Sequence, residues 1–305
     1  AESPEVDAFR AILGETCLEL GDYPAAKTAF NSVRLGTKEM LNIAPRVSRW
    51  LEVNGNLDAA VTIMHRAMLT ADSAVKTGVP RELSAWFHLR VGDLEMRRGR
   101  LETAEQILAE GRLIVPQDHR LLAAQARLAA MQRDWKRAIA LGDSSIAAVL
   151  DPITVALVGD AYLALGDSAK AQEYFRTTEV TVAQQPQQFH RALGLFLLDH
   201  DRQIDKVAMQ AQQDLETRRD IYGYDLLAWA RYRQGRISEA RALMTQALKT
   251  GARDATLLYH AGMIDLASGD KKSAASRLEA ALKLNPRFDP IQSEVATATL
   301  AALPK

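Results

Sequence analysis

One cysteine, Cys17, stands among 305 residues, so no disulfide can form within the chain and the redox compartment is left open. Charge of neither sign is in excess: 38 basic residues face 38 acidic ones. That balance argues against general affinity for nucleic acid or an anionic membrane, since both need a basic surplus. Aromatics are scarce at 6%, whereas alanine is abundant, as closely packed helices require. A membrane span needs a run of about 18 apolar residues. The most apolar stretch, Ile146 to Leu165, is broken by Asp151, Pro152 and Asp160, so membrane insertion is not expected. No secretory leader pattern opens the chain, which starts Ala-Glu-Ser-Pro and reads as a mature or trimmed form.

Catalytic patterns are missing as well. There is no Gly-rich phosphate loop and no recognisable nucleophile motif. None of the six histidines stands three or four residues from another histidine or from Cys17, so no helical metal pair exists. Cys17 sits among apolar helical neighbours and reads as buried and inert. No cofactor, metal or enzymatic activity is expected; an unrecognised site in a groove is the remote alternative.

What the chain does have is a period. Turn signals fall at Gly21-Asp22, Gly55-Asn56, Gly99-Arg100, Arg133-Asp134, Gly166-Asp167, His200-Asp201, Gly235-Arg236 and Gly269-Asp270. The intervals are 34, 44, 34, 33, 34, 35 and 34 residues. With Asp201 as the sixth anchor, the residue seven before each anchor is Gly14, Ser48, Gly92, Ala126, Gly159, Gly194, Ala228 and Gly262, all small. Five residues after it stand Ala26, Ala60, Ala104, Ala138, Ala171, Ala240 and Ala274; the sixth unit has Lys206 instead, with Ala208 two residues on. Paired helices approach closely only where side chains are small, so these positions mark the crossings. Helical segments repeating at this length predict a solenoid, in which each pair buries its apolar stripe on the next.

The predicted units are 7–40, 41–84, 85–118, 119–151, 152–186, 187–220, 221–254 and 255–286, with residues 1–6 frayed. The ten extra residues of the second unit read as a lengthened second helix closed by Thr77-Gly78-Val79-Pro80. Leu35-Gly36-Thr37 ends the first unit and Pro186 starts the sixth, the most irregular. Residues 287–305 read as a capping helix, since the last apolar face must be covered.

The pattern resembles the tetratricopeptide repeat family, through Leu226-Leu227-Ala228, Tyr232, Gly235 and Ala240, then Ala261-Gly262, Gly269, Ala274 and Pro286, and again Val158-Gly159-Asp160-Ala161-Tyr162, Gly166-Asp167, Ala171 and Phe175. The resemblance covers roughly residues 7 to 286. It implies an all-α, right-handed superhelical solenoid of about eight helix-turn-helix repeats whose first helices line a concave face. It also implies a scaffold that binds other proteins. The inner candidates it points to are Arg46, Arg49, Trp86, Arg90, Asp93, Arg97, Arg127 and Asp160 in the first part. Tyr222, Asp225, Trp229, Tyr232, Tyr259 and His260 follow in the second.

Arginines hold carboxylates through paired N–H groups, and aromatics supply large contact areas. The expected partner is therefore a protein or peptide segment, acidic at one end with an apolar or aromatic anchor at the other. The competing reading pairs these arginines with Glu52, Asp93 and Glu95 inside the solenoid. A second competing reading is an assembly protein that self-associates into homo-oligomers through an end or the convex face. Finally, Tyr224-Asp225-Leu226-Leu227-Ala228-Trp229-Ala230 and Tyr259-His260-Ala261-Gly262-Met263-Ile264 are similar to a bacterial group of exported repeat proteins, which implies an extracytoplasmic location.

Overall fold

The computed structural model describes residues 4–34, 36, 40–183 and 191–303. The expected end of the first unit at Leu35-Gly36-Thr37 and start of the sixth at Pro186 fall wholly or partly outside them. Among the described residues there are helices only. They follow one another as pairs: α1 (Pro4–Glu19) with α2 (Tyr23–Asn31), α3 (Met40–Val53) with α4 (Leu57–Ala74), and α5 (Arg81–Arg97) with α6 (Leu101–Ile114). Next come α7 (His119–Met131) with α8 (Trp135–Ala148), α9 (Pro152–Ala164) with α10 (Ser168–Ala183), and α11 (Arg191–Asp199) with α12 (Ile204–Thr217). The last pairs are α13 (Ile221–Arg233) with α14 (Ile237–Ala247) and α15 (Ala255–Ala267) with α16 (Lys271–Leu284), followed by α17 (Gln292–Ala302). Helix α1 begins at Pro4, so residues 4–6 are helical rather than frayed. The second unit's extra length is α4, prolonged by a 3-10 turn over Val75–Thr77 and closed by Gly78.

Every turn anchor adopts the same backbone. Gly21, Gly55, Gly99, Arg133, Gly166, Asp201, Gly235 and Gly269 all have φ between 55° and 87°. The residue after each anchor donates its N–H to the carbonyl five residues back, as in Asp22 to Cys17 at 2.9 Å and Asp270 to Asp265 at 3.0 Å. This is the Schellman closure, which satisfies a carbonyl that the helix end leaves without an intrahelical partner. The side chain of the following residue then caps the next helix: Asp22, Asn56, Asp134, Asp167 and Asp270 each accept a backbone N–H three residues on. The sixth turn is longer. Gln203 is also left-handed, α12 starts late, and Ala208 occupies the buried place that Lys206 does not.

The small residues sit where helices cross. A Cβ on Gly14, Gly92, Gly159 or Gly262 would lie under 3 Å from Phe30, Leu108, Phe175 or Leu278 of the paired helix. Where the first helix carries Ala126 instead, the partner position is Gly142. Large faces small at each crossing, which keeps the separation uniform.

One contact set is not between neighbours. The first three interhelix turns rest on the loops that open and close the last pairs. The hydroxyl of Tyr23 accepts the N–H of Ile221 at 2.9 Å, 198 residues away. Arg218 Nε reaches Glu19 at 2.8 Å. The amide of Asn285 donates to the Met96 carbonyl. A single core joins Ala11, Leu18, Phe30 and Ile43 to Ile221, Ala228, Met244 and Leu257. A small rotation per pair accumulates along a stack, and here it brings the end of the chain back against its beginning. The solenoid closes around a narrow bore.

Candidate functional site

The first helices α1, α3, α5 and α7 stand side by side, and their inner faces carry interleaved charge. Six residues before the anchor the sequence reads Glu15, Arg49, Asp93, Arg127 and Asp160. Within this column Arg49 pairs with Glu15 and Arg127 with Asp93, while α5 is tied to α3 through Glu52. Arg46 meets Glu15 at 2.9 Å, and Arg49 meets Glu15 and Glu19. Arg90 lies 3.3 Å from Asp93 and 3.9 Å from Glu52. Arg97 donates to Glu52 at 3.1 Å, and Arg127 donates to Asp93. Each of the five arginines already has a carboxylate of the solenoid, and they are divided between openings, Arg46 lining one and Arg97 and Arg127 another. Asp160 takes a different partner, His200 at 2.8 Å, and burial together with the nearby Asp289 charge works against its ionisation.

The second half is an aromatic stack, and it is buried. Trp229 stacks on Tyr232 at 4.7 Å and on His260 at 4.2 Å, and Tyr259 leans on both Trp229 and Phe288. Trp229, Tyr259 and His260 keep 2%, 4% and 0% of their surface, so none of the three offers a contact area to a partner. The indole Nε1–H of Trp229 donates to Asp199 at 2.8 Å, and His260 Nδ1 pairs with buried Asp225 at 2.9 Å. Burial pushes Asp199 up to about 6, helped by the Asp289 charge. His260 is held above its ordinary value: burial opposes its charge, and Asp225 with Asp199 and Asp254 outweighs burial. Tyr222 stands apart from this stack.

Two openings are lined by the candidate residues. The bore holds a cavity of about 310 Å³ walled by Asp93, Arg97, Arg127, Tyr222, Asp225 and Asp254, with Asn285, Phe288 and Asp289 from the chain's end. Arg97 keeps 46% of its side chain exposed there. The second opening is a wider groove, about 640 Å³, at the start of α3 and α5. Its floor is Leu41, Pro45, Leu83 and Trp86; Arg46, Arg120, Glu15 and Glu82 stand on its rim. Pro45 lies inside α3 and has no N–H, so the Leu41 carbonyl one turn back loses its helical donor.

Glu52 and Asp93 do pair with the inner arginines, as the competing reading had it, whereas Glu95 pairs with Arg98 instead. Sequence reasoning missed Glu15 and Glu19 as further partners. The signal was the alternating sign in one register column. It also missed Leu41, Pro45, Leu83 and Arg120, which become one floor and rim only when three pairs stack. Cys17 is partly exposed rather than buried, because it lies near the end of α1 beside the first turn; burial and the charge of Asp22 still raise its thiol. Among the described residues no three His, Cys, Asp or Glu side chains are grouped as metal ligands. No helix of the described residues is long and apolar enough to cross a membrane.

Sequence models of the tetratricopeptide repeat match residues 226–287 and 155–177. No curated protein sequence matches the chain. Among solved structures, yeast Tom70 is similar over 99% of this chain and 65% of its own, at 10% identity and a TM-score of 0.51. A tetratricopeptide repeat protein from Parabacteroides merdae is similar over 86% of this chain and 98% of its own, at 16% identity and a TM-score of 0.46. Likeness at such identities concerns the fold alone.

Proposed function

From the premise that this chain is a tetratricopeptide repeat protein, we propose that it is a non-catalytic interaction scaffold that takes a short partner segment in the groove floored by Trp86. The observation that carries this reading is that Trp86 lies in a groove of about 640 Å³ with an apolar floor and a charged rim, whereas Tyr222 lines the smaller cavity of the bore. Trp229 and Tyr259 are consumed by the core. Aromatic anchors in partly dry pockets dominate the energetics of such contacts.

The partner segment places an apolar or aromatic side chain against Trp86, Leu41 and Leu83. A carboxylate of the segment competes with Glu15 for Arg46, or with Asp118 for Arg120. The Leu41 carbonyl is available to a backbone N–H of the guest. An extended chain running the length of the concave face is disfavoured, because the closed bore narrows to a cavity of about 310 Å³.

Selection of random peptides on the full-length chain tests the reading. The expected consensus is one apolar anchor next to acidic residues, lost for Trp86→Ala and weakened for Arg46→Glu. Selected peptides that bind Trp86→Ala as well as the parent protein would move the site elsewhere. The proposed location is extracytoplasmic, from the two blocks around Trp229 and His260; fractionation against a periplasmic marker tests it, and a strictly cytosolic signal would reject it.

A further inference from the structure

Closure of the ring makes a further opening. It is a groove of about 610 Å³ where the second and third interhelix turns meet the ends of α14 and α16. Leu57, Leu248, Leu258 and Leu284 give it an apolar wall. Its charge is one-sided. Arg98, Arg100, Arg253 and Lys283 line it against the single carboxylate of Asp58, which leaves three positive charges in surplus. Arg98 holds Asp58 at 2.7 Å and also pairs with Glu95. Arg100, Arg253 and Lys283 have no ion pair and no side-chain hydrogen bond among the described residues. The inner arginines of the concave face, by contrast, each meet a carboxylate.

One of these three cations departs from the repeat. Arg100 holds the place at which Asp22, Asn56, Asp134, Asp167 and Asp270 cap the next helix, and it gives α6 no side-chain acceptor. Arg236 shares that place, but it pairs with Glu239 at 2.6 Å. The wall at Ala252 and Arg253 adds donors of another kind. Their backbone N–H groups donate to no acceptor among the described residues. Ala252 keeps only 5% of its surface, and a buried N–H calls for an acceptor.

We infer that this seam groove binds a small organic phosphate, with its oxygens on Arg100, Arg253 and Lys283 and its apolar body on the leucine wall. Guanidinium groups match phosphate oxygens two at a time, and a dianion answers more of the surplus than one carboxylate does. A ligand there touches the second and third turns on one side and the last two pairs on the other, so it ties the seam shut. The site is separate from the Trp86 groove, and either can fail without the other.

Isothermal titration calorimetry of the intact chain tests this with hexyl phosphate, inorganic phosphate and hexyltrimethylammonium. Hexyl phosphate is expected to bind at least about tenfold more tightly than inorganic phosphate, and the cation not to bind. Arg100 and Lys283 are exposed, so Arg100→Ser with Lys283→Ser is expected to lower the affinity at least about tenfold with unchanged far-UV circular dichroism. The charge-keeping Arg100→Lys is expected to retain binding. Hexyl phosphate is also expected to raise the urea midpoint of the parent and not of the double variant, since a ligand of the folded state stabilises it. No binding, or equal binding by the double variant, overturns the proposal. Equal affinity for hexyl and inorganic phosphate overturns it too, because the leucine wall then meets no ligand. So does an acidic peptide, Asp-Leu-Asp-Asp, that binds more tightly than hexyl phosphate, which would give the seam to a polypeptide.

Discussion

The side-chain amide of Asn285 donates to the main-chain carbonyl of Met96 at 2.7 Å, across 189 residues of chain. Asn285 is 1% exposed, and its Oδ1 accepts the N–H of Arg287. The third turn and the final loop are thereby joined at a buried point with both polar groups satisfied. Together with Tyr23–Ile221 and Glu19–Arg218, this contact turns an open stack into a closed one.

Closure can be isolated by comparing glycines that share one backbone conformation. Gly21, Gly55, Gly235 and Gly269 all have φ between 73° and 87°. An added Cβ would lie 2.4 Å from the Arg219 carbonyl oxygen at Gly21 and 2.5 Å from that of Gly251 at Gly55. At Gly235 and Gly269 it would meet nothing within 4 Å. Gly235→Ala and Gly269→Ala are expected to cost about 1 kcal/mol, the left-handed penalty. Gly21→Ala and Gly55→Ala should cost about 2 kcal/mol more, because backbone must move. Urea titration of the four variants checks this; equal midpoints would mean the ring is open in solution.

Crossing residues offer a second test. Ala228 and Ala240 are fully buried in the seventh pair. Ala228→Leu or Ala240→Leu is expected to destabilise by about 1–3 kcal/mol through overpacking. The thermal midpoint measures it, and an unchanged midpoint would contradict the tight crossing.

The inner arginines bear on stability as well as on partners. Glu52 is buried and depends on Arg97, and at longer range on Arg90. Arg90→Glu with Arg97→Glu leaves that carboxylate beside like charge, and an unpaired buried ion costs about 3–5 kcal/mol. Half-exposure of Arg97 reduces this to about 2 kcal/mol. Adding Glu52→Gln should restore most of the loss. Chemical denaturation of the double and triple variants reads the difference, and equal stability of the two would remove Glu52 from the account.

Asp199 sets a pH dependence. Its folded value, near 6, lies above the 3.8 of an unperturbed side chain, so between these values the folded state holds more protons than the unfolded one. Its contribution therefore favours folding at low pH and is lost as pH rises from about 4 to 6. Asp199→Asn keeps an acceptor for the Trp229 indole and removes the buried charge. The variant is expected to melt higher than the parent at pH 7.5, with the two converging near pH 4. A constant gap across that range would show that Asp199 does not titrate there.

The local grammar of the chain was legible residue by residue. Eight turn anchors chosen from spacing all adopt the left-handed conformation, including Arg133 and Asp201, which glycine statistics alone would pass over. The small residues at Gly14, Gly92, Gly159 and Gly262 mark real crossings, because a helix pair is a contact over some sixteen residues that a period can report. The charge column Glu15, Arg49, Asp93 and Arg127 was equally present in the register, and its pairing followed once the helices stood side by side.

What the sequence alone determined is each pair and its stacking on the next, since those contacts recur at a fixed short separation. Tertiary structure decided the rest. Rotation per pair is a small angle, and six pairs multiply it, so whether Gly21 meets Arg219 or open solvent depends on an accumulated sum that no local motif encodes. That closure buries Ile221 and Ala228 against α1–α3 and narrows the concave face to a cavity of about 310 Å³. Trp229 and Tyr259 disappear into the core formed by the last pairs and α17, and Trp86 is left open at the other edge.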